Sequence, residues 1–266
     1  MVWKLVQPVV KAGMVCILLA SAGCDGQPLT PEASRLLEAA ITAYDQKLDA
    51  EAISKLDVFL ADYSRMQRAD EAYYYRGLAE YNLNRHDAAR EDYQRAIDRT
   101  DREDLRGRAL IGLGGIAYDE GDMAQAERML MQSLDSLQRG QPPRDHALYR
   151  LGMVLQRQSR WEQADRYFNQ LIGDFAGTEL ADRAGERVNA RHWTVQAGVF
   201  ESADESRNLS ASLQREDLPA GLWRRMIEGK LLVYVQVGLY RTYEQAEQVL
   251  PAVRQICPES FITVTH

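Results

Sequence analysis

The chain has 266 residues and a formal net charge of −7. That length allows one or two domains. Hydrophobic residues make up 45% and charged residues 27%, a globular balance that excludes a wholly disordered chain. The excess of carboxylates excludes nucleic acid as the main partner, because phosphate-backbone binders carry a basic surplus. Cys16, Cys24 and Cys257 are too few for a disulfide framework, and with four scattered histidines they give no zinc spacing. No metal and no cofactor is expected.

Residues 1–24 begin with Lys4 and Lys11 and continue in an apolar run, Ala12 to Ala20. That run is well short of the ~20 residues that cross a bilayer as a helix. Ser21, Ala22 and Gly23 lead into Cys24. The segment resembles a bacterial lipoprotein signal with its lipobox; Ser21 stands where Leu is usual, and Leu19 lies two residues earlier. The resemblance implies that Cys24 is acylated, becomes the first mature residue and anchors the chain in the inner or outer membrane, since more than one acyl chain makes anchoring stable. Cys257 is then unpaired, with a small buried hydrophobe as its expected role. Residues 25–33, with Pro28 and Pro31, are expected to form a tether reaching at most about 30 Å.

Residues 34–190 have helical periodicity and an internal repeat. Ala52, Ala89, Ala126 and Ala164 recur at spacings of 37, 37 and 38. Twelve residues before them stand Ala40, Gly77, Gly114 and Gly152, and four after them Leu56, Tyr93, Leu130 and Phe168. This pattern resembles the tetratricopeptide repeat, in which small residues let helices approach and the large residue fills the space between them. The resemblance implies four helical hairpins, with residues 178–190 as a capping helix. The period exceeds the usual ~34 residues, and the linkers Asp101 to Arg106 and Gly140 to Arg144 are expected to absorb the excess.

Positions that line the concave face in that family carry over here to Tyr44, Tyr81, Tyr118 and Gln156, and to Leu37, Tyr74, Ile111 and Tyr149. Tyrosine suits peptide binding through its flat apolar body and its hydroxyl. Tyr44, Tyr74, Tyr81, Tyr118 and Tyr149 are therefore the candidate protein-binding groove; packing within the superhelix is the alternative. Asp45, Asn82 and Asp119 would make the groove mildly acidic and favour a basic peptide.

From His192 the period changes to two. Strand-like runs at 192–200, 222–228, 231–238 and 259–264 and helical runs at 202–215 and 242–256 give the order βαββαβ, a small α+β domain of ferredoxin or RNP type. Val195, Gln196, Ala197, Gly198 and Phe200 are echoed by Val235, Gln236, Val237, Gly238 and Tyr240, with Glu244 and Ala246 opening the next helix. Residues 191–266 thus resemble a SPOR domain, the sporulation-related repeat. The resemblance implies binding of peptidoglycan, especially glycan strands stripped of stem peptides.

Strand alternation sets the faces. Val233, Val235 and Val237 are expected to meet the helices, as are Val195, Ala197 and Val199. Leu232, Tyr234 and Gln236, with Thr194, Gln196 and His192, are expected on the open face. Thr194, Gln196, Arg225, Leu232, Tyr234 and Gln236 are the candidate glycan-binding residues. Amides donate and accept toward sugar hydroxyls, and an aromatic face stacks on a pyranose. Arg224, Arg225 or Lys230 would pair with the lactyl carboxylate freed when a stem peptide is removed. Trp193 and Trp223 are expected to pack in the core or at the sheet edge.

No catalytic constellation stands out: there is no nucleophile elbow, P-loop or HExxH. The expected function is a non-enzymatic, lipid-anchored, periplasm-facing adaptor. Its SPOR domain would hold glycan and its repeats a protein partner, at sites of division or wall remodelling. The alternative is a scaffold of an outer-membrane or envelope assembly machine, with the SPOR domain only as its wall tether.

Overall fold

A computed structural model describes residues 27–227 and 229–265. The signal segment and Cys24 lie outside the described residues. Eight helices form four antiparallel hairpins: α1 (Pro31–Asp45) with α2 (Asp49–Tyr63), α3 (Ala69–Asn82) with α4 (His86–Arg99), α5 (Glu103–Asp119) with α6 (Met123–Ser136), and α7 (Arg144–Arg157) with α8 (Trp161–Asp174). A short α9 (Glu179–Gly185) caps the array.

The repeated small and large residues meet as the pattern requires. Gly77 lies against the Tyr93 ring, Gly114 against Leu130 and Gly152 against Phe168; a Cβ on any of them would come within 2.4–2.9 Å of that side chain. Ala52, Ala89, Ala126 and Ala164 are fully buried between hairpins. Each turn within a hairpin places one residue in the left-handed region, at Lys47, Asn84, Gly121 and Ser159. That position recurs with the repeat because it reverses the chain after the first helix.

Two boundaries differ from expectation. The first helix starts at Pro31, where the Thr30 side chain accepts from the Ala33 N–H and proline suits the first turn. Just before it, the Gln27 carbonyl accepts from the Gln67 N–H at 2.9 Å and Leu29 packs on the first hairpin's core, so the end of the expected tether is docked. The extra length of the third repeat goes into α5, which already begins at Glu103 and runs 17 residues.

The second unit is β1 (His192–Phe200), α10 (Ala203–Arg215), β2 (Ala220–Ile227), β3 (Lys230–Tyr240), α11 (Tyr243–Ile256) and β4 (Phe261–Thr265). All pairings are antiparallel and the sheet order is β2-β3-β1-β4. β1 and β3 are therefore central and adjacent. The helices cover one face, where Trp193, Val195, Val235, Val237, Ala246 and Val253 form the core. Cys257 is half-buried and has no disulfide partner among the described residues.

One expected orientation is reversed. Between β1 and β3 the register runs Gln196 to Gln236 and then Gly198 to Val235, leaving Ala197 as an extra residue. Such a bulge flips the residues after it to the other face. Val199 therefore pairs with Tyr234 and is 40% exposed, while Phe200 packs on the helix-side core.

The units are joined by a fixed set of contacts. Trp161 at the start of α8 packs on Trp193, with ring centroids 5.6 Å apart, and Tyr243 meets Trp193 edge-on at 5.1 Å. The Arg157 guanidinium lies over the Tyr243 ring at 4.1 Å and over Tyr118 at 5.1 Å. Asp165 accepts from the Asn189 N–H at 3.0 Å and pairs with Arg191 at 2.8 Å.

Candidate functional site

The open face of the sheet is built from alternate residues of four strands. The register places Gln196 beside Gln236, Tyr234 beside Trp223, and Leu232 beside Arg225. On the far side, Gln196 pairs with Phe261 and Thr194 with Thr263. Gln196, Tyr234, Gln236 and Trp223 line one cleft of about 450 Å³.

The candidate residues differ in what they offer. The half-buried Gln196 amide has no protein hydrogen-bond partner among the described residues, so both its N–H groups and its oxygen are available. The Gln236 Oε1 accepts from the Thr265 hydroxyl at 3.3 Å, which leaves its amide N–H groups. Tyr234 and Leu232 are half-buried and Arg225 is exposed. Thr194 is a correction: it is 0% exposed, and its hydroxyl donates to the Val237 carbonyl at 3.2 Å. It stitches the two central strands together and cannot reach a ligand.

Two aromatic residues enter the site that strand alternation alone left out. Trp223 is drawn over Gly221, where a Cβ would lie 2.6 Å from the indole ring; it lies on the edge strand β2 beside Tyr234 and lines the cleft. Counting back from the hairpin turn, Ile227 opposite Lys230, would have found it. Phe261 on the edge strand β4 is 49% exposed beside Gln196. Trp193, by contrast, is buried in the core as expected.

The opposite wall of the cleft comes from the repeat array: Tyr149, Arg183, Glu186 and Arg187. Arg183 stacks over the Tyr149 ring at 5.1 Å. The Arg187 guanidinium donates to the Gln156 Oε1 at 2.7 Å, and the Gln156 amide donates to the Arg187 carbonyl at 3.0 Å. Gln156, expected on the concave face, is fully buried as this clamp.

The five groove tyrosines come together on the concave face. Tyr44, Tyr74 and Tyr81 line a hollow of about 430 Å³ that also holds Arg108 and Arg150. Tyr81, Tyr118 and Tyr149 line the adjoining hollow of about 290 Å³, with Arg150 and Arg183. Shared residues Tyr149 and Arg183 connect it to the sheet cleft. Tyr74 is half-buried, and desolvation pushes its phenol up to about 12. Asp45 lines the first hollow, but the groove as a whole is not acidic. Asn82 is engaged by Asp49 at 3.0 Å and Asp119 by the Tyr81 hydroxyl at 2.5 Å. Arg108, Arg150 and Arg183 supply the opposing charge.

Comparison with known proteins agrees with this architecture. The SPOR domain family matches residues 189–262, and two tetratricopeptide repeat families match residues 70–102 and 146–178. The chain therefore contains a SPOR domain and tetratricopeptide repeats. Among solved structures, a tetratricopeptide repeat protein from Parabacteroides merdae is 11% identical, covering 71% of this chain and 68% of its own, with a TM-score of 0.49. The protein MamA is 22% identical, covering 53% of this chain and 77% of its own, with a TM-score of 0.46. No curated protein matches the chain. The SPOR domain belongs to a peptidoglycan-binding family typical of bacterial cell-envelope proteins, and the repeats to a protein-interaction class; neither is a catalytic family.

Proposed function

We propose that the chain is a cell-envelope adaptor whose open sheet face binds peptidoglycan glycan strands and whose concave face recruits a protein. The observation that carries this reading is the unpartnered Gln196 amide set beside Tyr234 and Trp223. An amide that both donates and accepts suits sugar hydroxyl and N-acetyl groups, and the rings supply apolar faces for pyranose stacking. A strand stripped of its stem peptides bares these groups along its whole length. Cys24 is the proposed lipid anchor; among the described residues no helix is long and apolar enough to cross a membrane. The task fits division or wall remodelling, where stripped strands accumulate. The cations in the tyrosine groove favour an acidic segment of the protein partner. Co-sedimentation of the whole chain with amidase-treated and intact sacculi tests the proposal. Enrichment on treated sacculi is expected, and equal failure on both would contradict it.

A further inference from the structure

The repeat array does more than carry the sheet. Its cap closes one side of the cleft, and the charged side chains it brings there are two arginines, Arg183 and Arg187, and one carboxylate, Glu186. Arg183 and Arg187 face the sheet from the cap, and Arg225 lies on the sheet's own edge strand. Among the described residues none of the three has a carboxylate within ion-pair distance, although 17 other contacts of this kind tie Arg or Lys to Asp or Glu elsewhere in addition to the Arg191–Asp165 pair. Arg183 rests on Tyr149 and Arg187 on Gln156, both neutral. In a chain with seven surplus negative charges, a cleft whose two walls set Arg183, Arg187, Arg224 and Arg225 against the single carboxylate of Glu186 is net positive and marks a place for an anion.

The cap is held in this position rather than left free to swing. Gln156 grips Arg187 through two hydrogen bonds. Asp165 grips the segment that follows, through Asn189 and Arg191. Trp161 packs into the second unit's core. A wall fixed at both ends is preorganised, so a ligand need not bear the cost of ordering it.

We propose that the glycan site is composite, with Arg183 and Arg187 of the repeat cap pairing with carboxylates on a strand that lies on the sheet. The ligand class is a carboxylate-bearing polysaccharide, and the repeat unit helps select it. This rests on the glycan-binding reading above. The sheet face supplies amide and aromatic contacts to any sugar chain; the cap adds preference for one with free carboxylates.

The test uses the whole chain and two probes: amidase-released glycan strands with free lactyl carboxylates, and the same strands with those carboxylates converted to neutral amides. Arg183→Gln removes one charge outside the Gln156 clamp, and Arg187→Lys keeps the charge while changing the fork. Thermal unfolding of each variant checks that it is folded. The expected result is that Arg183→Gln weakens binding to the carboxylate strands by about tenfold, the scale of one charge-assisted hydrogen bond. Binding to the neutral strands should be unchanged and Arg187→Lys should lie between wild type and Arg183→Gln. Equal binding of wild type and folded Arg183→Gln to the carboxylate strands would overturn the composite site and leave the sheet reading intact. Failure of the wild type on both probes would overturn both.

Discussion

Gln156 and Arg187 hold each other by two opposed hydrogen bonds, one to a carbonyl at 3.0 Å and one from a guanidinium at 2.7 Å. Through this pair the last repeat fixes its cap, and the cap becomes a wall of the sheet cleft. Gln156→Leu removes both bonds and leaves the Arg187 carbonyl without its donor. A loss of about 1–3 kcal/mol in unfolding free energy is expected, with the cap's amides exchanging earlier than the rest in hydrogen-exchange measurements.

Gly152 carries the tightest of the three repeat contacts, with the Phe168 ring 2.4 Å from where a Cβ would sit. Gly152→Ala must displace a fully buried ring in a packed core. Overpacking of this kind costs about 1–3 kcal/mol, so the midpoint of denaturant unfolding should fall. Gly173→Ala, where the added Cβ meets nothing, should leave it unchanged or raised.

Lys47 occupies the left-handed position that Gly121 fills in the third repeat. A side chain there is strained, and glycine relieves that by about 1 kcal/mol. Lys47→Gly should raise stability and Gly121→Ala should lower it, both read by chemical denaturation.

Tyr93 is buried in the array and Tyr74 half-buried at the wall of its hollow, and desolvation raises both phenols above their ordinary value, Tyr74 to about 12. The neutral form is favoured in the fold, so their contribution is full below the unfolded value near 10 and is lost as pH rises toward the folded one. Stability should therefore decline above pH 10. Phenolate absorbance should show Tyr74 ionising only near pH 12 or with unfolding, and Tyr93 only with unfolding.

The repeat pairs were readable from the sequence because Gly77, Gly114 and Gly152 stand at fixed distances from Tyr93, Leu130 and Phe168, and close packing needs one small partner for each large one. The doubled motif marked Gln196 and Gln236 as equivalent open-face positions on two strands, but their direct pairing came only with the register. The bulge at Ala197 was not: alternation assumes an unbroken period, and one extra residue sent Val199 outward and Phe200 inward. Thr194 had the right parity for the open face, but parity does not show that its hydroxyl is bonded to Val237. Trp223 needed the hairpin register as well as its own strand. Arg183 and Arg187 lay beyond any local pattern, since their place depends on how the cap meets a sheet formed by residues further along the chain.

Glycan recognition by the open sheet face is tested most directly by titrating amidase-released glycan strands into the whole chain and into Gln196→Ala/Tyr234→Ala, with tryptophan fluorescence as the readout. The chain has four tryptophans, of which Trp223 lies in the cleft; wild type should bind saturably with a change in total tryptophan emission that Trp223→Phe abolishes, and the folded double variant should lose at least about tenfold in affinity, the scale of one hydrogen bond plus one aromatic contact. Equal affinity of the two proteins would contradict the sheet-face account.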